Sequence, residues 1–189
     1  INTEGGYSKW RISGGFFRLN YVFNDRYLLE VNGRLDGSSK FPSDSQYAFF
    51  PSVSAGWRVS QEPFWKVPEE IFSNLKVRAS YGSLGNGNID PYSFQELFKI
   101  KQSSLVLNGI RPQYTGQPAV IPLGLTWEKS TTLNLGLDFA FLSNRLQFSG
   151  DIYQRKTTDM FTVGMSLPAV FGTDVPKGNY ADLTTKGFE

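Results

Sequence analysis

Phe16-Phe17-Arg18-Leu19-Asn20-Tyr21-Val22-Phe23-Asn24-Asp25-Arg26-Tyr27-Leu28-Leu29-Glu30-Val31-Asn32-Gly33-Arg34-Leu35-Asp36 is the stretch on which the fold turns. Phe17, Leu19, Tyr21 and Phe23 recur at every second position, the period of a strand with one apolar face. Asn24-Asp25 suits a tight reversal. Residues 26–36 then return with Tyr27, Leu29, Val31 and Leu35 on one side and Arg26, Glu30, Asn32, Arg34 and Asp36 on the other. The whole reads as a two-faced hairpin.

The same pattern recurs downstream. After a polar loop through Asp36-Gly37-Ser38-Ser39-Lys40, residues 49–60 set Val53, Ala55, Trp57 and Val59 against Ser52, Ser54, Arg58 and Ser60. Pro68-Glu69-Glu70-Ile71-Phe72 suits one helical turn, because proline is tolerated at a first helical position. Residues 75–84 place Leu75, Val77, Ala79 and Tyr81 opposite Lys76, Arg78 and Ser80. A fifth strand carries Leu133, Leu135, Leu137, Phe139 and Phe141 against Thr132, Asn134 and Asp138. After Leu142-Ser143-Asn144 a sixth carries Leu146, Phe148 and Ile152 opposite Gln147, Ser149, Asp151 and Arg155. Residues 85–126 are rich in Gly, Asn, Pro and Gln and too long for an ordinary hairpin connection, with room for small strands of their own. Residues 159–186 read as a second long loop.

Loop lengths alternate. Connections after strands one, three and five are short or moderate, and those after strands two, four and six are long and polar. Outer-membrane barrels share this asymmetry, with short periplasmic turns and longer extracellular loops. Residues 26–36 also approach the roughly 9 to 11 residues that a tilted strand needs to cross a bilayer. Aromatics gather near the short turns: Tyr21, Phe23 and Tyr27; Trp57, Phe64 and Trp65; Phe139, Phe141 and Phe148. An interfacial girdle has this character, and Tyr81, Trp127 and Tyr153 are candidates for the opposite one. The fold expected is therefore all-β, an antiparallel transmembrane β-barrel segment of about six strands from a larger barrel. The alternative is a secreted or surface β-sandwich acting as a glycan-binding or adhesion module, since alternation also suits two packed sheets.

Composition agrees with β structure and narrows the function. Aromatics make up 15% of the 189 residues, and 19 Gly with 10 Pro supply turns. Nineteen basic against 17 acidic residues give a formal charge of +2, without the basic face that nucleic-acid binding needs. The chain has neither Cys nor His, so the usual general base, metal ligand and thiol nucleophile are all missing. Catalysis is disfavoured and no cofactor is implied. Mean hydropathy is −0.29, with no apolar run of membrane-helix length. A barrel strand keeps a modest average because only one of its faces is greasy. Ile1-Asn2-Thr3-Glu4 lacks the features of a signal peptide, yet a barrel must be exported, so an internal piece of a longer protein is expected.

Several words of the sequence carry a resemblance. Phe17-Arg18-Leu19-Asn20-Tyr21, Asp25-Arg26-Tyr27-Leu28-Leu29-Glu30, Arg34-Leu35-Asp36-Gly37-Ser38-Ser39-Lys40-Phe41 and Phe50-Pro51-Ser52-Val53-Ser54-Ala55-Gly56-Trp57-Arg58-Val59-Ser60 resemble, in that order, the barrel of the SusC/RagA family of TonB-dependent transporters. Leu75-Lys76-Val77-Arg78-Ala79-Ser80-Tyr81-Gly82, Trp127-Glu128, Asn134-Leu135-Gly136-Leu137-Asp138-Phe139 and Lys186-Gly187-Phe188-Glu189 continue it. The resemblance implies a barrel of about 22 strands with an N-terminal plug, in which residues 1–189 form part of one barrel domain while plug and remaining strands lie elsewhere. It further implies a multi-pass outer-membrane location, a SusD-like surface lipoprotein partner, coupling to the TonB complex through regions outside this sequence, and import of oligosaccharides or peptides.

Candidate site residues follow from the polar faces and the loops. Arg18, Arg34, Arg58, Arg78 and Asp138 are expected to face the lumen, as a charged wall ladder or plug contact, or in direct contact with substrate. Tyr92, Phe94, Tyr114 and Phe171 are placed to stack on sugar rings, pack against a lipoprotein, or form small loop cores. Gly85-Asn86-Gly87-Asn88 lacks the Lys-Ser/Thr ending of a phosphate loop. Asp36-Gly37-Ser38-Ser39 has too few carboxylates for calcium. Both read as turns, and Glu69-Glu70 as a solvated pair.

Overall fold

The computed structural model describes residues 5–68, 70–118, 120–122, 124–168, 170, 172 and 175–189. Seven strands form one antiparallel sheet: β1 (Ile12–Phe23), β2 (Tyr27–Ser38), β3 (Tyr47–Arg58), β4 (Phe72–Asn86), β7 (Glu128–Phe141), β8 (Leu146–Val163) and β9 (Lys177–Phe188), each beside the next. Two short strands, β5 (Ile100–Gln102) and β6 (Gln113–Thr115), pair as a separate ribbon within the long connection from β4 to β7. Among the described residues no helix is long and apolar enough to cross a membrane.

The short turns close as their residues dictate. Asn24 and Asp25 both take positive φ, 48° and 53°, and the Arg26 N–H donates to the Phe23 carbonyl at 3.0 Å. Such a turn matches the twist of paired strands. The β3–β4 connection opens with a 3-10 turn over Val59–Gln61, so β3 stops two residues before the expected end. Its second half holds a single turn in which the N–H groups of Ile71 and Phe72 both donate to the Pro68 carbonyl, at 3.0 Å each.

Register sorts the side chains into two faces. Tyr21, Leu29, Ala55, Ala79, Leu135, Ile152 and Phe188 are successive cross-strand partners, one apolar row across all seven strands. One residue along each strand, Asn20, Glu30, Ser54, Ser80, Asn134, Tyr153 and Gly187 form the matching row of the other face. A slip of one residue would exchange them. At the far end of the apolar face the rings of Phe17 and Phe49 close over Gly33, where an added methyl would strike both.

Nothing described covers the apolar face. Leu29, Val77 and Leu135 are 44%, 36% and 47% exposed, whereas a sandwich would bury all three between its sheets. The accessible surface is 14218 Å², against about 9,000 Å² expected for a folded water-soluble monomer of this mass. The excess comes from an open sheet with an uncovered apolar face and from exposed connections. β1 and β9 each have one unpaired edge in this sheet, and a membrane barrel requires every edge to be paired.

A ring belt runs along the short-turn end. Tyr21, Phe23 and Tyr27 are neighbours at 6.4–6.5 Å, Trp65 packs edge-on against Phe72 at 5.4 Å, and Phe72, Phe141, Phe139 and Phe148 continue the chain of contacts. The opposite girdle differs from expectation. Tyr81 lies on the apolar face, but the register puts Tyr153 opposite Asn134 on the polar face. Trp127 stacks on Phe41 at 4.7 Å in a buried loop cluster.

A seventh strand joins the six expected. β8 continues to Val163 through register shifts between Thr157 and Phe161, and β9 pairs with it, so the second long loop contracts to residues 164–176. Tyr180, Leu183 and Phe188 of β9 share no period of two, and its partner is irregular there. Alternation could not reveal it.

Candidate functional site: polar wall and loop cavity

The polar face carries paired charges. Arg18 bonds Glu30 at 2.6 Å, and Asn32 donates to the same carboxylate at 2.8 Å and to the Ser52 hydroxyl at 3.3 Å. Arg34 reaches Asp36, two positions along its own strand, at 2.7 Å. The densest group centres on Arg78. Its Nε donates to Asp138 at 2.7 Å, and its Nη2 serves Asp138 and Asp151 at 2.9 Å and Ser149 at 3.1 Å. Ser149 in turn donates to Asp138 at 2.7 Å. Gly136 makes this possible, because a Cβ there would press on both the guanidinium and the Asp151 carboxylate.

All five candidate wall residues, Arg18, Arg34, Arg58, Arg78 and Asp138, share this face by register. Four belong to ion pairs. Arg58 instead donates to the Asp25 carbonyl at 3.3 Å and pairs in register with Lys76, which ties it to the first short turn. Arg78 is forked across two carboxylates from neighbouring strands, a geometry that binds β4, β7 and β8 together.

Glu62 was not singled out by the sequence. It is buried in the β3–β4 connection, where Oε1 accepts the Tyr27 hydroxyl at 2.7 Å and the Trp57 indole N–H at 2.9 Å, while Arg26 lies 3.5 Å from Oε2. The polar tips of two girdle rings thus converge on one carboxylate. The Tyr27 hydrogen bond above all, then that of Trp57, holds the Glu62 carboxyl below its usual value near 4.5, outweighing the desolvation that acts the other way. Only knowledge that both rings sit beside this turn could have marked it.

At the other end, the long connections fold onto each other. Phe41, Ile89 and Leu125 are buried together, with Phe94, Trp127 and Phe161 packed against them. The Trp127 indole donates to the Ser45 carbonyl at 3.1 Å. Asn179 at the start of β9 accepts from the Thr126 N–H at 3.0 Å and donates to its carbonyl at 2.9 Å. Over Phe161 lies a cavity of about 610 Å³ between the β4–β7 and β8–β9 connections, whose lining includes Lys99, Lys101 and Lys177.

The loop aromatics separate. Phe94 packs in the loop core, and the Tyr92 hydroxyl is engaged with Lys9, accepting from its N–H and donating to its carbonyl, each at 3.1 Å. Tyr114, on β6 opposite Lys101, is half exposed. Phe171 lies outside the described residues, as does Glu69. Asp36 is occupied by Arg34. Asn88 donates its N–H to the Asn86 side chain at 3.1 Å, a local turn. Among the described residues no group of three acidic side chains is placed to hold a metal ion.

Comparison with known proteins agrees with this geometry. Residues 2–189 match the family model for the TonB dependent receptor-like β-barrel. The chain is 38% identical over 185 residues to TonB-dependent receptor P26 of Formosa agariphila, an alignment covering 97% of the chain and 18% of that relative. It is 38% identical over 154 residues to TonB-dependent receptor SusC of Bacteroides thetaiotaomicron, covering 77% and 15%. Among solved structures, the RagAB peptide importer in its closed-closed state superposes with a TM-score of 0.82 at 25% identity, covering 96% of the chain and 19% of the importer chain. The chain thus spans less than a fifth of the length of these relatives.

Proposed function

The chain belongs to the TonB-dependent receptor-like β-barrel family, and from that premise we propose that it is a wall segment of an outer-membrane importer that takes up oligosaccharides or peptides with energy from the TonB complex. The observation that carries this reading is the pairing of one uncovered apolar face with one ion-paired polar face across seven strands. The apolar face meets lipid, and Arg18, Arg34, Arg58, Arg78 and Asp138 line the lumen. A charged, hydrogen-bonded wall gives a plug or a passing solute polar contacts without exposing charge to hydrocarbon.

Work in this segment is binding and passage, with no bond-making chemistry. Outside the cell the folded connections give the solute, and a SusD-like lipoprotein, a shaped surface. The β5–β6 ribbon and its flanking residues offer an apolar surface to a partner, with Leu97, Phe98, Ile100, Leu105 and Ile110 each more than half exposed. A test replaces residues 97–115 of the full-length protein by a Gly-Ser linker and follows assembly, uptake of oligosaccharide and oligopeptide mixtures, and co-purification with the lipoprotein. Expected are an assembled barrel, lower uptake and weaker co-purification. Uptake that survives loss of TonB, or ribbon removal without effect on uptake and co-purification, counts against the reading.

A further inference from the structure

We infer that the cavity between the two long connections is a binding site for an anionic, carboxylate-bearing oligomer; this deepens the import reading and rests on it. The cavity lining is part apolar and part cationic. Phe161, Pro122, Val120 and Leu167 are among its apolar members, and Phe161 is itself packed against the buried Phe41, Ile89 and Leu125 cluster. Lys99 and Lys101 stand two positions apart at the start of the β5–β6 ribbon, so they share one of its faces, and Lys177 opens β9 on the other side.

Two observations separate these three from ordinary surface lysines. First, three ammonium groups border one concavity whose described lining holds a single carboxylate, Asp90. Among the described residues none of the three forms an ion pair. Three cations against one carboxylate leave the concavity with an excess of positive charge, which a bound anion offsets. Second, the site is built from both connections at once. The Lys99 carbonyl accepts the Gly116 N–H at 2.8 Å, fixing the ribbon's base, and Gly178 abuts Pro122, fixing β9 against the same loop. A volume of about 610 Å³ falls in the range that holds small ligands. Apolar and cationic lining together fit a unit with a flat carbon face and a carboxylate edge. A uronic-acid residue and an acidic side chain of a peptide both offer it.

Binding is measured on the purified full-length transporter with its lipoprotein, independently of uptake. The probes are an oligogalacturonate and hexaglutamate, with maltohexaose and hexaglutamine as neutral counterparts. We expect one anionic probe to bind, and its identity separates sugar from peptide. The triple replacement Lys99→Glu, Lys101→Glu, Lys177→Glu should weaken it by about tenfold or more, the scale of one charge-assisted hydrogen bond. The matching triple change to Arg should keep the affinity within about twofold, and the neutral probes should not respond to either. Absence of binding by both anionic probes, or equal weakening of neutral and anionic probes by charge reversal, overturns the inference. Continued TonB-dependent uptake of neutral solutes in that event would leave the import reading standing.

Discussion

Leu135→Arg sets the lipid-facing assignment against a number. Leu135 stands between Ala79 of β4 and Ile152 of β8, and Phe139 and Phe141 of the ring belt follow it on the same strand. At about 3.4 Å per residue and a tilt of about 40°, the belt lies about 10 to 16 Å away, which puts Leu135 near the middle of an apolar band about 25 Å tall. An arginine at that depth costs about 2–4 kcal/mol, a shift of about 30- to 900-fold in the folding equilibrium. Asn134→Arg places the same charge one residue away on the polar face, beside Ser80 and Tyr153, and should cost about 1 kcal/mol or less. The assay is urea-dependent folding of the full-length protein into lipid vesicles, read by heat-modifiable gel mobility. Equal penalties for the two variants, or a larger one for Asn134→Arg, would refute the assignment.

Removing Arg78 by Arg78→Ala leaves Asp138 and Asp151 facing each other; because the group is partly solvated, a loss of about 1–2 kcal/mol is expected in the same folding assay. Asp138→Asn should cost less, since Asp151 still answers the guanidinium. Glu62 gives a pH dependence. Its folded-state carboxyl lies below the usual 4.5, so its stabilisation is complete above that value and is lost as pH falls through the lower, folded-state value. Unfolding midpoints between pH 2 and 6 should therefore fall more steeply for the native protein than for Glu62→Gln. Phe41→Ala removes the fully buried centre of the loop cluster, at a cost of about 3–5 kcal/mol to that cluster. Limited proteolysis should then cut residues 87–127 faster, while the barrel keeps its mobility on gels.

Much of the sheet is legible in the sequence because a strand with one apolar and one polar face has to alternate. Phe17 to Phe23, Tyr27 to Leu35 and Leu133 to Phe141 all do so, and register then follows from the turns at Asn24-Asp25 and Leu142-Ser143-Asn144. β9 was illegible for the converse reason: Tyr180, Leu183 and Phe188 keep no common period, and its pairing with β8 passes through register shifts. Trp127 and Tyr153 were misplaced because ring identity alone does not tell lipid from loop core or polar face; only register and tertiary packing do. The Arg78 cluster could be read as charges on one face, but its partners could not, since Asp138 and Asp151 come from two strands far along the chain. The loop core and the lysine-lined cavity depend on contacts between connections that carry no periodic signal.

The central claim is that one face of this sheet touches lipid. Nitroxide labels at Leu29, Val77 and Leu135 of the full-length protein in bilayers, compared with labels at Glu30, Lys76 and Asn134, test it most directly through their accessibility to oxygen and to a water-soluble nickel chelate. The first set should be reached by oxygen and shielded from nickel, and the second set should show the reverse preference. Labels at Leu29, Val77 and Leu135 that are shielded from both reagents, as inside a packed protein core, would contradict the account.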